Sequence, residues 1–197
     1  MKTENNYNDP RSKRTRQFII DAFISLIIKK DFESITIKDI TEKAAINRVT
    51  FYAHFQDKYA LFDFVISDRF NEILSQNINL QAEIDDKFME SLIISVCEYH
   101  QSARETCKRG YISVASIMNK KSRDALVDFL YNKFKNCKSA NYDSRRIKLF
   151  SIMVSNSISS SVYEWITNNE VISPKILAKE ILPFIMGGMH QMLETLN

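Results

Sequence analysis

The chain has 197 residues, with 27 Lys and Arg against 24 Asp and Glu and a net charge of +3. That length buries a sizeable core in one or two domains, and three Gly and three Pro favour long helices over turn-rich β structure. The near-neutral balance excludes a polycation, and the odd, widely spaced Cys97, Cys107 and Cys137 exclude a disulfide framework. No run of about eighteen apolar residues is present to span a membrane.

Residues 1–10 are polar and Asn-rich, without an apolar signal region, and are expected to form a disordered tail. No membrane partner is expected, and cytoplasmic residence follows by default. A first helix is predicted from about Ser12 to Lys29, with Ile19, Ala22, Phe23, Leu26 and Ile27 on one face. Phe32 and Ile35 should close that small core. From Arg11 to Lys58 there are ten Lys and Arg against six Asp and Glu, so this end is the basic end of the chain.

The segment from Thr36 to Lys58 is the most informative. Thr36 followed by Asp39 resembles a capping box, and Ile37, Ile40 and Ala44 then recur at helical spacing. Ala45 and Ile46 make a turn, and Asn47 is a good N-cap for a short helix from Arg48 to about Ala53. Phe51 should be buried there while Arg48, Thr50, Tyr52 and His54 point elsewhere. Asp57 can cap the next helix, which begins at Lys58 and carries Leu61, Phe62, Val65, Phe70, Ile73 and Leu74. Two short helices joined by a tight turn, the second bearing basic and hydroxyl groups, form a helix-turn-helix reader of the DNA major groove.

The rest of the chain reads as helices throughout. The pattern predicts a fifth helix over about Ala82–Ala103 and a sixth from Tyr111 to Met118. A seventh follows from Ser122 to Cys137, and an eighth, capped by Asp143, runs to Trp165 or Asn168. Ser173-Pro174 starts a ninth, with Ser as N-cap and Pro at the first helical position. Pro183 should kink it locally.

The residues Thr36, Ile40, Ala44-Ala-Ile-Asn47, Thr50-Phe-Tyr52, His54-Phe55 and Lys58-Tyr-Ala-Leu61 resemble the N-terminal domain of the tetracycline-repressor (TetR) family of bacterial transcription regulators. The resemblance covers about residues 12–65, and the remaining two-thirds matches only in length, helicity and order of elements. It implies an all-α fold: a helix-turn-helix three-helix domain at 11–57, then a larger helical effector-binding and dimerisation domain at 58–197. The family usually carries Gly where Ala45 stands and near Asp31. Ala45 is therefore expected to need a positive φ, which Ala tolerates poorly.

By resemblance, Arg48, Val49 and Thr50 face bases, while Tyr52, His54 and Lys58 bind backbone phosphate. Lys38 contacts phosphate or base, and Asn47 completes the DNA-facing set. The chemistry agrees, since Arg48 offers paired donors to a guanine edge and Val49 or the Thr50 methyl suits a thymine methyl. The family's last two helices form a four-helix dimer interface. This places Val154, Ile158, Trp165, Ile181, Phe184, Ile185, Gly188, Met189 and Met192 at a self-contact, with Gly187-Gly188 allowing close approach. A ligand pocket for an unknown small-molecule effector is assigned to Cys97, His100, Met118, Phe150, Met153, Asn156, Ser157, Ser160 and Tyr163. The hydroxyl-rich run Ser155–Ser161 either walls such a cavity or packs helices closely.

Cys97 and His100 sit on adjacent helical turns, where a shared metal is conceivable. The spacing is not that of a structural zinc site, and a buried Cys beside a partly exposed His is the expectation. No metal and no cofactor are expected. Only His54, His100 and His190 are present, with no paired carboxylates, phosphate loop or nucleophile motif, which disfavours an all-helical enzyme. The expected function is a homodimeric regulator, a repressor released from a palindromic operator by a small molecule. The rival within the class is a ligand-independent activator or nucleoid-associated protein.

Overall fold

The computed structural model describes residues 9–107, 110–136, 143–168 and 172–194, with side chains undescribed at 190 and 192–194. Cys137 and the expected polar break at 138–142 lie outside the described residues, as do the first eight residues. The elements are α1 (Pro10–Ile27), a 3-10 turn (Phe32–Ser34), α2 (Ile37–Lys43), α3 (Arg48–His54) and α4 (Lys58–Asn77). They continue with α5 (Asp86–Thr106), α6 (Tyr111–Lys135), α7 (Ser144–Thr167) and α8 (Pro174–Glu194). The fold is all-α, with a helix-turn-helix at its N-terminal end and a helical remainder.

Several element starts follow from single side chains. Asp9 Oδ1 accepts the Arg11 N–H at 3.0 Å and Pro10 occupies the first helical position, so α1 begins two residues before the predicted Ser12. Asp57, Asp85 and Asp143 accept backbone N–H groups at the starts of α4, α5 and α7, at 2.7, 2.8 and 3.0 Å. Asp85 explains why α5 begins at Asp86 and not at Ala82. The predicted sixth and seventh helices are one helix, α6. No Gly or Pro interrupts Asn119-Lys-Lys-Ser122, and Ser122 donates its hydroxyl to the Asn119 carbonyl within the helix. The buried stripe Met118, Ser122, Leu126 and Leu130 therefore runs through the expected break.

The chain divides into two compact units, and the division falls inside α4. One comprises the residues up to Ile66 together with Arg104–Val114; the other comprises Ser67–Ala103 and the residues from Ala115 onward. In the first, Phe23, Phe32 and Phe62 make edge and tilted ring contacts, with centroids 6.2 and 4.7 Å apart for Phe23–Phe32 and Phe32–Phe62. Ile19, Ile35, Ile40, Phe51 and Leu61 complete that core. In the second, Phe70 meets Tyr99 at 5.0 Å, Phe88 stacks on Phe129 at 6.3 Å and Phe134 meets Phe150 at 5.2 Å. Each buried Phe contributes roughly 1.5–3 kcal/mol.

The turn between α2 and α3 carries the strain expected of it. Ala45 has φ +54°, the one positive φ at a non-glycine among the described residues. Its N–H bonds the Glu42 carbonyl at 3.3 Å, and the Ile46 N–H bonds the Thr41 carbonyl at 3.0 Å. This is the Schellman pairing that ends α2, with Ala in the left-handed position. Asp31 differs from expectation: its φ is −63°, so no left-handed residue is needed there.

His100 on α5 is fully buried, not partly exposed. Burial pushes its imidazole down to about 4. A proton on His100 therefore favours the unfolded chain, whose imidazole titrates near its ordinary value.

Two outcomes follow. Ala45→Gly should raise stability by about 0.5–1 kcal/mol, relief of the left-handed Cβ outweighing the looser unfolded chain; a lower denaturation midpoint would contradict the strain. Stability should also be full above about pH 6.5 and fall as pH drops towards about 4, by up to about 3 kcal/mol from His100 alone. Denaturation curves at several pH values should show His100→Gln flattening that slope.

Candidate nucleic-acid interface

The seven residues of α3 are too few to hold a helix alone, so its position is set by its neighbours. Phe51 is fully buried and contacts Phe55, ring to ring, at 6.1 Å. At the other end, Asn47 Oδ1 accepts both the Thr50 N–H at 2.8 Å and the Thr50 hydroxyl at 2.9 Å. Below it, the capping box of α2 is complete. The Thr36 N–H donates to Asp39 Oδ2 at 2.9 Å and the Asp39 N–H to Thr36 Oγ1 at 3.1 Å. Hydrogen bonds from the Thr36 hydroxyl and N–H, joined by Lys30 at 3.0 Å, hold the Asp39 carboxyl well below the usual carboxylate range.

With Phe51 inward, the opposite face of α3 is open. Val49 is 79% exposed and Tyr52 55%, and Arg48 is exposed beside them. Large apolar groups on so short a basic helix are costly to leave in water and suit contact with base edges and methyl groups. Lys38 on α2 is also exposed and pairs with Glu42 at 3.7 Å, a weak surface pair. His54 is half-buried at the end of α3. Burial, and then the Arg16 charge, hold its imidazole below the ordinary value, so it is neutral at pH 7. The Arg16 guanidinium lies over the Phe64 and Phe55 rings, at 3.9 and 5.1 Å from their centroids, tying α1 to the end of α3 and to α4.

Lys58 departs from the sequence expectation. Its amine is turned inward, donating to the carbonyls of Phe32, Glu33 and Ile35 at 3.1, 3.0 and 3.1 Å. Only 15% of its side chain is exposed, and the ammonium also lies 4.8 Å from the Phe32 ring centroid. An ammonium has three protons, and all three are committed to the turn between α1 and α2. Lys58 is thus a clasp on that turn rather than an open phosphate donor.

On α7 the expected self-contact residues lie inside and several expected pocket residues lie outside, whereas on α8 the expected self-contact residues divide, with Phe184 and Gly188 exposed. Val154, Ile158 and Trp165, expected at a self-contact, face the interior of their own unit, and Trp165 Nε1 donates to the Ile172 carbonyl at 2.8 Å. Ile185 and Met189 are buried likewise, and Ile181 is half-buried. Met153, Asn156 and Ser160, expected in a pocket, are exposed; Ser157 and Tyr163 are half-buried. The open stripe on α7 is Leu149, Ile152, Met153, Asn156 and Ser160; on α8 it is Ile176, Phe184, Gly187 and Gly188. A Cβ on Gly187 or Gly188 would meet nothing within 4 Å, so neither glycine serves close packing inside the chain. The cause is phase: the buried hydroxyls Ser151, Ser155 and Ser159 sit four residues apart and take the inner face, which turns Met153 and Asn156 outward. Met192 lies outside the described side chains.

Of the remaining pocket candidates, Cys97, His100, Met118 and Phe150 are buried. Cys107 is buried too, and burial pushes its thiol up, away from the thiolate that redox sensing requires.

Truncating Lys58 should therefore act on folding. Lys58→Met should cost about 2–3 kcal/mol by leaving three carbonyls without their charged donor. A thermal melt checks this, and a fully stable variant with merely weaker DNA binding would restore the phosphate role.

Comparison with known proteins agrees with this geometry. Residues 19–65 match the family model described as bacterial regulatory proteins, tetR family. Over 67 residues the chain is 40% identical to an uncharacterised HTH-type transcriptional regulator, YxbF, of Bacillus subtilis, covering 34% of this chain and 18% of that one. Over 70 residues it is 31% identical to the dhaKLM operon transcriptional activator DhaS of Lactococcus lactis, covering 36% and 37%. The match thus spans well under half the length of these relatives. Beyond it the likeness is one of fold. A TetR transcriptional regulator from Streptococcus agalactiae superposes with TM-score 0.61 at 18% identity, over 89% of this chain and 95% of that one. A TetR variant from Acinetobacter baumannii in complex with minocycline gives 0.60 at 18% identity, over 89% and 96%. The helix-turn-helix is thus matched in sequence to the tetR family model over residues 19–65, and the helical remainder is similar in fold to TetR regulators.

Proposed function

We propose that the protein is a homodimeric DNA-binding repressor, released from a palindromic operator by a small-molecule ligand. The observation that carries the DNA-binding part is the open face of α3, where Arg48, Val49 and Tyr52 stand exposed on a helix anchored by buried Phe51. Arg48 reads a base edge, Val49 and the Thr50 methyl meet thymine methyls, and Tyr52 and His54 approach the backbone. Lys38 adds charge from α2, and Asn47 sets the helix start.

Dimerisation rests on two observations. One short reading helix recognises few base pairs, so two half-sites are needed. The α7 and α8 stripes, with Phe184 77% exposed beside the open Gly187 and Gly188, offer an apolar surface for a second copy. Ligand release is supported by the minocycline complex of the Acinetobacter relative. In this chain, the effector would favour one spacing of the two α3 helices over the other; specific binding needs them about 34–36 Å apart. The activator reading stands second, because DhaS, 31% identical over 70 residues, is named an activator.

One experiment tests both halves of the reading. Selection from a random duplex library should return a palindrome bound by a dimer in sedimentation. Arg48→Ala should cost about 1–3 kcal/mol and relax one position in each half-site. A wild-type monomer on the selected DNA, or an unchanged base preference in Arg48→Ala, would overturn it. Transcription from the selected site in a reporter strain separates repressor from activator by sign.

A further inference from the structure

One groove of about 230 Å³ opens on the DNA-binding unit, between the first turns of α1 and the end of α3. Asp9, Arg11, Ser12 and Thr15 line it from α1 and its cap, Thr50 and His54 from α3. Donor accounting decides which of these can hold a ligand. The Thr15 hydroxyl donates to the Arg11 carbonyl at 3.0 Å, and the Thr50 hydroxyl to Asn47 Oδ1 at 2.9 Å. Their protons are used. The Ser12 hydroxyl, the Arg11 guanidinium and one N–H of the His54 ring have no acceptor among the described residues. Three residues from two helices thus line one space with donors that no acceptor among the described residues takes up.

We propose that this groove seats a phosphodiester of the DNA backbone, held by Arg11 and Ser12 from α1 and by His54 from α3. The inference rests on the DNA-binding reading above and extends the interface to α1, a helix otherwise assigned to scaffolding. A helix lying in the major groove has a phosphate backbone along each flank. The groove opens at the end of the same short helix that exposes Val49 and Tyr52, so a phosphate beside that helix enters it. Arginine and hydroxyl donors fit phosphate oxygens. Because Arg16 and burial keep His54 neutral, it supplies an N–H and Arg11 supplies the charge.

Asp9 makes the proposal sharply testable. Its carboxylate stands in the groove and opposes an anion, yet it is needed as the cap that accepts the Arg11 N–H at 3.0 Å. Asn caps as well as Asp, so Asp9→Asn removes the repulsion and keeps the helix start. Asp21, also on α1 but hydrogen-bonded to Gln17 at 2.9 Å and outside the groove, is the control.

A backbone contact exists on every sequence, so a labelled mixed-sequence duplex of about 30 base pairs, roughly three turns, suffices as probe. Fluorescence anisotropy across a salt series would be run on the wild type and on variants whose melts match it. Ser12→Ala should weaken binding roughly three- to tenfold with base preference unchanged. Arg11→Ala should weaken it and lower the salt slope by about 0.9. Asp9→Asn should tighten binding by more than Asp21→Asn does. If the wild type binds and Ser12→Ala and Arg11→Ala bind equally well, the groove holds no phosphate. If Asp9→Asn is no tighter than Asp21→Asn, the proposal is overturned by a variant that leaves every donor in place. A wild type that binds no duplex at all would instead overturn the DNA-binding reading, and this proposal with it.

Discussion

A seven-residue helix has to be held from outside, and most of the N-terminal unit is arranged around that constraint. α3 gains little from its own hydrogen bonds, because nucleating so short a helix is unfavourable in water. Phe51 supplies the anchor, Asn47 fixes the first turn, and the Ala45 turn sets the angle from α2. Arg16 reaches from α1 to close the other end over Phe55 and Phe64. Because these contacts lie on one side, the other side is free to carry Val49, Tyr52 and Arg48 into contact with something else.

The same unit uses charge for structure as well as for recognition. Lys58 is spent on three carbonyls of the turn before α2, and Lys30 on the capping carboxylate Asp39. Both would be counted as free positive charge in any tally of the basic N-terminal end. The second unit repeats the device: Lys133 donates to the carbonyls of Leu80 and Ala82 at 2.7 and 2.6 Å, holding the stretch before α5. A buried or half-buried carbonyl cluster attracts an ammonium because each oxygen keeps an unspent lone pair. What remains open to a polyanion is a smaller set, led by Arg11, Arg48 and Lys38.

On α7 and α8 the decisive matter is which of two apolar stripes each helix turns inward. Both helices carry more apolar surface than one face needs. The inner stripe of α7 contains three serines, and the outer one contains Leu149, Ile152 and Met153. Polarity alone would have assigned them the other way round. Volume explains the choice: small side chains at 151, 155 and 159 admit the neighbouring helices closely, whereas Trp165, Ile158 and Val162 fill the space that remains. Within the hydroxyl-rich run, Ser155 and Ser159 therefore lie on the inner face and Ser160 on the open one, beside the long apolar groups.

The sequence by itself determined the helix-turn-helix, because its signals are local. The Thr36–Asp39 box, the Asn47 and Asp57 caps, the spacing of Ile40 and Phe51, and the need for a positive φ at Ala45 act over three or four residues. The Asp143 cap and the Ser173-Pro174 start were legible for the same reason. Tertiary structure decided everything that depends on direction across the chain. The Lys58 amine reaches carbonyls 23 to 26 residues away in sequence, and nothing local distinguishes that from a solvent-facing lysine. The continuity of α6 through Ser122 depended on a buried stripe longer than any window that contains the apparent break. The phase of α7 and the sharing of one groove by Arg11, Ser12 and His54 are likewise set by packing between helices, because a periodic pattern fixes which residues share a face but not which face is covered.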